Sequence, residues 1–305
     1  MVIDKPKGRT SAAVVADVRS RLGGVKAGHT GTLDPMATGV LPICLADATK
    51  LAGVMIADDK RYAGEVTLGV ETDSYDADGV VVASDAPAAL RVPFAEIAKA
   101  LAGFVGEIDQ TPPRLSAIKV GGRRLHERVR DGEHVEPPVR RVHIKEVDLV
   151  WMDAGREGRA PKIHIEVECS KGTFIRSLAH DLGKRLGCGA HLSALRRLRS
   201  GIFGLGQALV VDDVTPASAA QALIPVVELG LPQVQVGIDL ITALARGAPL
   251  EPADLDNPPE SGMFFAVDPR GRPIAVLEKG LFRLRYVRVF LSQPEAEARV
   301  KDLTP

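Results

Sequence analysis

The most informative stretch of this chain lies near its beginning and reads GHTGTLDPMATGVLP, residues 28–42. Its three glycines and two prolines, together with small polar side chains, provide little apolar surface for a core. This predicts an irregular loop that leads into a short apolar run. The loop carries one carboxylate, Asp34, directly before Pro35. Aspartate before proline is typical of a turn, in which the carboxylate accepts hydrogen bonds from nearby backbone amides. Spacing alone therefore favours a turn residue over a catalytic one.

The composition is that of a folded protein. Hydrophobic residues make up 45% and charged residues 26% of the 305 residues, which suits a large core with a smaller appendage. The 39 basic and 39 acidic side chains cancel, so any nucleic-acid surface has to be local. No apolar run reaches the roughly 18 residues of a membrane span, and the first residues do not form a signal peptide. The three cysteines are odd in number and lack C-x-x-C spacing, so they support neither a disulfide framework nor a zinc site. Unpaired cysteines suit a reducing compartment, and we therefore expect a cytoplasmic protein.

Strands and helices are predicted in an irregular order on both sides of the loop. Alternation predicts the main strands, at residues 61–70, 142–150 and 162–169, and helical spacing predicts the main helices, at residues 12–22, 94–101 and 174–186. Without a regular βαβ rhythm, this indicates an α/β (α+β) fold on a mixed, mainly antiparallel sheet. Prolines interrupt the pattern between residues 212 and 235. We therefore expect a large domain at 1–228 and a small β-rich domain at 229–305.

Generic motifs for cofactors and metals are missing from the sequence. No glycine-rich stretch continues into the Gly-Lys-Ser/Thr of a P-loop, and neither zinc-protease nor zinc-deaminase spacing occurs. The segment 74–79 partly matches a calcium loop but lacks its first Asp and its last Glu. We therefore predict no cofactor and no metal.

Residues 28–42 resemble the signature loop of the bacterial tRNA pseudouridine(55) synthase family, known as TruB. Three further motifs of this family follow the same order: Lys5-Pro6-x-Gly8-x-x-Ser11, the segment from Lys60-Arg61-Tyr62 to Gly79, and the segment from Ser170-Lys171-Gly172-Thr173 to Leu192. The resemblance covers about the first 210 residues. It implies the pseudouridine synthase fold, a small PUA-like RNA-binding domain at 229–305, and an isomerase that converts uridine 55 in the T arm of tRNA to pseudouridine. It also implies a monomer that needs no cofactor and no obligatory protein partner.

The resemblance also assigns roles to individual residues. Asp34 would be the nucleophile, or the base in a glycal-type route, acting on a flipped-out base. Arg176 would pair with this carboxylate and keep it ionised, and Tyr62 would stack on the base. His29 would help to hold the T loop open, and Lys5 would support the catalytic loop. Two positions depart from the family pattern, because Leu115 and Phe174 stand where tyrosine is usual.

Basic side chains form two candidate phosphate-binding groups. They are Arg114, Lys119, Arg123, Arg124, Arg128 and Arg130 in a basic excursion, and Arg196, Arg197 and Arg199 further on. The excursion, predicted at residues 110–138, would suit the family's RNA-clamping insert, at about residues 85–138. Two alternatives stay open at this point. One is a non-catalytic RNA-binding or RNA-folding protein on the same fold. The other is a guide-RNA-dependent synthase with partner proteins, which the insert disfavours.

Overall fold

The computed structural model describes residues 1–55, 59–116, 118–281 and 283–304, and the side chains of Val54, Lys119 and His126 lie outside this description. The strands are β1 (Val2–Lys5), β2 (Ala27–His29), β3 (Thr38–Leu45), β4 (Lys60–Leu68), β5 (Val70–Thr72), β6 (Val81–Ser84), β7 (Gly106–Gln110), β8 (Lys119–Val120), β9 (Arg123–Arg124), β10 (Arg140–Asp153), β11 (Lys162–Cys169), β12 (Ala190–Ser200), β13 (Phe203–Gly204), β14 (Ala208–Val210), β15 (Gln233–Gln235), β16 (Gly262–Val267), β17 (Pro273–Lys279) and β18 (Leu284–Val289). The helices are α1 (Ser11–Arg21), α2 (Ala52–Met55), α3 (Ala86–Ala89), α4 (Phe94–Ala102), α5 (Leu125–Arg130), α6 (Ile175–Leu186), α7 (Pro216–Ala222), α8 (Ile238–Arg246) and α9 (Gln293–Leu303).

One large sheet organises most of the chain. Its strands run in the order β14-β1-β3-β12-β4-β11-β10-β7, with β2 added beside β3 and β13 beside β12. Only the β1–β14 and β3–β12 pairs in this sheet are parallel. The structure therefore confirms the mixed, mainly antiparallel sheet that the irregular order of elements predicted.

Helix α6 presents an apolar stripe to this sheet. Ile175, Leu178, Ala179 and Leu182 recur at helical spacing, and all are buried. The helix ends at Gly187, whose φ of 71° is a left-handed conformation that glycine adopts without the steric cost of a side chain. This packing fixes the first turn of α6, and it holds the Arg176 side chain 5% exposed.

Strand β12 is central to the sheet but was not predicted. Its sequence, AHLSALRRLRS, contains three arginines within four positions, a composition typical of a surface segment. In the structure β12 lies between β3 and β4, and its register places Arg197 opposite Tyr62 on one side and opposite Gly39 on the other. The strand thus connects three segments that are far apart in the sequence.

The range of about 85–138, expected as an RNA-clamping insert, consists of two parts in the structure. Ile97, Leu101 and Phe104 are buried in the main core, and β7 forms the edge of the large sheet through its pairing with β10. The apolar face of α4 explains this packing, because burying it requires contact with the sheet. Only the segment between Gln110 and Arg140, with β8, β9 and α5, leaves the core.

The C-terminal part forms a second, four-stranded sheet in the order β15-β16-β17-β18. One face packs on α8 and α9, with Phe264, Ile274 and Leu277 at its centre. The other face packs against the large domain, because Phe265 and Val276 share a buried cluster with residues of β1 and β3. This agrees with the expected small β-rich unit. None of the helices in the described part of the chain combines the length and the apolar character that crossing a membrane demands.

Candidate active site

The loop that carries Asp34 connects β2 to β3 and is anchored through its backbone. The Ser11 hydroxyl accepts a hydrogen bond from the Leu33 amide at 2.8 Å and lies 3.0 Å from the Leu33 carbonyl oxygen. On the other side of Asp34, the Gly8 amide donates to the Pro35 carbonyl at 2.7 Å. Leu33 and Met36 are buried, so the loop faces the core on both sides of its carboxylate. The Asp34 backbone is therefore held in place before any ligand binds.

Lys5 adds a charged anchor beneath this loop. The residue is buried, and its Nζ atom donates to the carbonyl oxygens of Pro6 at 2.8 Å, Arg9 at 2.6 Å and Pro35 at 3.3 Å. Burial lowers the pKa of Lys5 to about 8. The geometry suits the supporting role that the resemblance implies.

Asp34 and Arg176 form an ion pair across the loop. The Arg176 Nε atom lies 2.9 Å from Asp34 Oδ2, and Nη2 donates to Oδ1 at 3.2 Å. The Arg176 side chain is 5% exposed, whereas the Asp34 side chain is 32% exposed and faces a cavity. Burial raises the pKa of Asp34 above its ordinary value, and attraction to Arg176 opposes this rise. The pair thus presents a carboxylate that is both oriented and accessible.

A second carboxylate, Asp76, shares the same arginine and was not predicted as a site residue. Its Oδ2 atom lies 3.1 Å from Arg176 Nη1, and its Oδ1 atom accepts from the Ser74 hydroxyl at 2.6 Å. Asp76 lies in the segment that resembles the family's second motif, but this resemblance gave it no role. The partial calcium-loop match pointed to a metal ligand and did not indicate a carboxylate paired with arginine. Its oxygens are engaged by Arg176, by Ser74 and by the Asp78 amide at 3.1 Å. Within the described ranges, no group of three or more potential metal-binding side chains is present.

The two departures from the family pattern leave the arginine in place. Arg176 Nη1 and Nη2 both donate to the backbone carbonyl of Leu115 at 3.2 Å, a contact that does not depend on the side chain at this position. The Phe174 backbone exchanges two hydrogen bonds with the Gln110 side-chain amide, at 2.8 Å and 3.0 Å. The Phe174 side chain lines the cavity. The lost hydroxyl groups therefore do not disturb Arg176.

The cavity in front of Asp34 has a volume of about 470 Å³, within the usual range for a small-molecule site. Tyr62 is buried in its wall and His29 lies at its edge. Burial raises the pKa of Tyr62, while burial and the nearby Arg197 charge lower the pKa of His29. The charged side chains that line the cavity are Asp34, Lys60, Arg140, Lys171, Arg176 and Arg197. This lining has an excess of positive charge and therefore suits an anionic ligand.

Most of the predicted phosphate-binding arginines pair with carboxylates of the same chain. The pairs are Arg114–Glu136, Arg123–Asp131, Arg123–Glu133, Arg124–Glu127, Arg128–Glu133, Arg196–Asp4 and Arg199–Glu168. Arg130 is exposed, and the Lys119 side chain lies outside the described residues. The arginines of these pairs are partly or fully exposed, so a polyanion could exchange with the carboxylates at small cost.

Arg197 differs from the surface role predicted for it. Its residue is 1% exposed, its Nε atom donates to the Val40 carbonyl at 2.7 Å, and its Nη2 atom donates to the Gly31 carbonyl at 3.2 Å. The central position of β12 in the sheet explains this burial. Arg197 consequently belongs to the inner wall of the cavity and is removed from the surface group.

Two exposed cations at the rim of the cavity were missed. Arg140 begins β10 and Lys171 lies in the turn before α6, and both line the cavity. In the described part of the chain neither has a carboxylate within 4.0 Å, unlike most arginines of the excursion. Lys171 belongs to the third motif, but the sequence offered no reason to separate it from other surface lysines.

Comparison with known proteins gives a consistent result. The family described as TruB family pseudouridylate synthase (N terminal domain) matches residues 19–175, and tRNA pseudouridylate synthase B C-terminal domain matches residues 176–226. A relative named tRNA pseudouridine synthase B from Symbiobacterium thermophilum is 50% identical over 234 residues, 76% of each chain. Another of that name, from Corynebacterium aurimucosum, is 41% identical over 96% of each chain. Among solved structures, a chain of a Cbf5-Nop10-Gar1 complex is 26% identical with a TM-score of 0.72, over 97% of this chain and 86% of that one.

Proposed function

The chain belongs to the TruB family of pseudouridylate synthases, and we propose that its cavity converts one uridine of tRNA, at position 55 in the T arm, into pseudouridine. Membership makes the chain an isomerase that acts on tRNA. The reaction moves the uracil attachment on the ribose from N1 to C5, and it needs neither an oxidant nor a phosphate donor.

The observation that carries this proposal is the Asp34–Arg176 pair in the wall of a cationic cavity. A carboxylate can attack the ribose, or remove a proton from it, only in its ionised form. Arg176 favours the ionised form of Asp34 and fixes the positions of both carboxylate oxygens. The loop anchors at Ser11 and Gly8 keep the carboxylate in one orientation, which lowers the entropic part of the barrier.

The base must leave its stack to reach Asp34, which costs about a few kcal/mol. Tyr62 offers a ring on which the uracil can stack inside the cavity. Arg140 and Lys171 at the rim are placed to bind the flanking phosphates. Burial lowers the pKa of His29 at the edge of the cavity, which favours its neutral form. Stacking and phosphate contacts together offset the cost of unstacking.

The rest of the chain would hold the body of the tRNA. We propose that the segment between Gln110 and Arg140 clamps the T arm, and that residues 229–305 form a PUA-like RNA-binding domain beside the catalytic domain at 1–228. Because both surfaces belong to one chain, we also propose a monomer that works in the cytoplasm without an obligatory partner protein. The solved chain of the Cbf5-Nop10-Gar1 complex, in contrast, comes from an assembly with other proteins. Sedimentation of the purified protein tests whether this chain is a monomer.

A non-catalytic RNA-binding role on this fold is less favourable. An accessible carboxylate in a cavity that is otherwise cationic would weaken RNA binding by like-charge repulsion with phosphate. Its presence is explained by chemistry and is unexplained by binding alone.

The test is to incubate unmodified tRNA transcript with the wild-type protein and with Asp34→Asn, and to map pseudouridine by position. We expect one modified uridine in the T loop with the wild type and none with the variant. Modification by Asp34→Asn, or none by a folded wild-type protein, would overturn the proposal.

A further inference from the structure

Arg197 is a buried cation without a carboxylate partner. The residue is 1% exposed, and among the described residues no carboxylate oxygen lies within 4.0 Å of its guanidinium. Its Nε and Nη2 atoms donate to the backbone carbonyls of Val40 and Gly31. Arg176, by contrast, lies between two carboxylates. Of the two buried arginines that line the cavity, Arg176 is therefore neutralised by neighbouring carboxylates and Arg197 is not.

The fold fixes where this charge lies. Arg197 is paired with Tyr62 across β12 and β4, which puts the two side chains on the same face of the sheet and within contact range. It is paired with Gly39 across β12 and β3. A Cβ atom at position 39 would lie 2.2 Å from the Arg197 carbonyl oxygen, so β3 can approach this closely only through glycine. The guanidinium thus lies between the Asp34 loop and the ring expected to carry the base.

An unpaired buried charge is expensive, and arginine cannot reduce the cost by losing its proton. The Val40 and Gly31 carbonyl groups accept hydrogen bonds from its Nε and Nη2 atoms but leave its net charge. When all groups are ionised, the two carboxylates Asp34 and Asp76 face three cations, Lys5, Arg176 and Arg197. Among these five groups the cations therefore exceed the carboxylates by one charge, and a ligand or an intermediate could supply the missing negative charge.

We propose that Arg197 stabilises the negative charge that uracil carries while it is detached from the ribose. This inference rests on the proposed isomerase function. When the N1–C1′ bond breaks, its electron pair stays on N1, and the charge is shared with O2 and O4 of the ring. C1′ is meanwhile bonded to an Asp34 oxygen, or a proton leaves C2′ to Asp34. Either route releases the same anion, which persists until C5 bonds to C1′. As that bond forms, the C1′–oxygen bond to Asp34 breaks in the first route, and in the second route Asp34 returns the proton to C2′. The C5 proton is then lost and N1 takes up a proton, which completes the isomerisation.

Arg197 is better suited to this anion than Arg176, Arg140 and Lys171, which also line the cavity. Arg176 already neutralises Asp34 and Asp76. Arg140 and Lys171 are exposed to water, where a charge interacts weakly with a neighbour. A fixed charge in a site that excludes water acts much more strongly on charge that develops during the reaction.

The test removes the guanidinium and returns it as a separate ion. Arg197→Ala should leave a space for guanidinium, so the single-turnover rate of C5 tritium release should fall about 10²–10³-fold and recover when guanidinium is added at non-denaturing concentration. Urea has nearly the same shape without the charge, and it should not restore the rate. Arg197→Lys, which retains a charge, should retain more activity than Arg197→Gln, which retains only hydrogen bonding.

Three further measurements separate the possible outcomes. Binding of tRNA should be unchanged in Arg197→Gln, and its thermal unfolding should show that it folds. Ser11→Ala, which loosens the same loop without removing a charge, should not respond to guanidinium. Equal rescue by urea, equal losses in the Lys and Gln variants, or a loss confined to tRNA affinity would each overturn the inference. Failure of the wild-type protein to modify tRNA would instead overturn the proposed function.

Discussion

Replacing Asp76 with Asn should slow the reaction without weakening tRNA binding. The Asp76 side chain is 6% exposed, and its Oδ2 atom lies 3.1 Å from Arg176 Nη1, so water cannot replace it. The Asn oxygen can still accept from Ser74, but its NH₂ group would then face the arginine as a second donor. Loss of a hydrogen bond to a charged group costs about 1.5–3 kcal/mol. If the transition state loses that much stabilisation because Arg176 is less well oriented, the single-turnover rate falls about 10- to 100-fold.

The change also has a defined effect on the pH profile. Repulsion by Asp76 contributes to the raised pKa of Asp34, so removing the Asp76 charge lowers the pKa of Asp34. The reaction needs ionised Asp34, and the rate is lost as pH falls through its pKa. The acid limb of the profile should therefore move to lower pH in Asp76→Asn, even though the plateau rate is smaller.

The assay is tritium release from C5-labelled tRNA at saturating enzyme, with binding measured separately on filters. Asp78→Asn is the matched control, because it removes the same charge two residues away and no carboxylate contact to Arg176 is lost. A wild-type rate in Asp76→Asn, the same loss in Asp78→Asn, or an acid limb displaced to higher pH would refute the reasoning.

Three further results are expected. Because burial raises the pKa of Asp34 in the folded chain, the ionised carboxylate costs stability at neutral pH, and Asp34→Asn should unfold at the same or a higher temperature in calorimetry although it is inactive. Gly39→Ala should lower the free energy of unfolding, measured in urea, by about 1–3 kcal/mol or more, because φ is 101° and the new Cβ would meet a backbone oxygen. Gly206→Ala is the control, because a Cβ there meets no atom within 4 Å and the free energy of unfolding should change little. Arg140→Gln and Lys171→Gln should each reduce tRNA affinity and lower its salt slope by about one with kcat unchanged, and a fall in kcat would contradict their placement at the rim.

The sequence by itself determined the family, the mixed fold and the central carboxylate. The fifteen-residue loop is contiguous, and the three further motifs occur in the family's order. These motifs were sufficient to predict Asp34, Tyr62 and Arg176 as site residues. The main strands and helices could be predicted because their apolar periods are local properties. Generic spacing rules alone would still have left Asp34 as a turn residue.

Only the tertiary structure decided which charges are paired. Asp76 and Arg176 are 100 residues apart, and nothing in their local patterns shows that they meet at 3.1 Å. The arginines of β12 looked alike in the sequence, yet the sheet buries Arg197 and leaves Arg196 and Arg199 partly exposed with carboxylate partners. The physical reason is that burial and pairing depend on neighbours across the sheet, and a one-residue change of register reverses which side chains face the core.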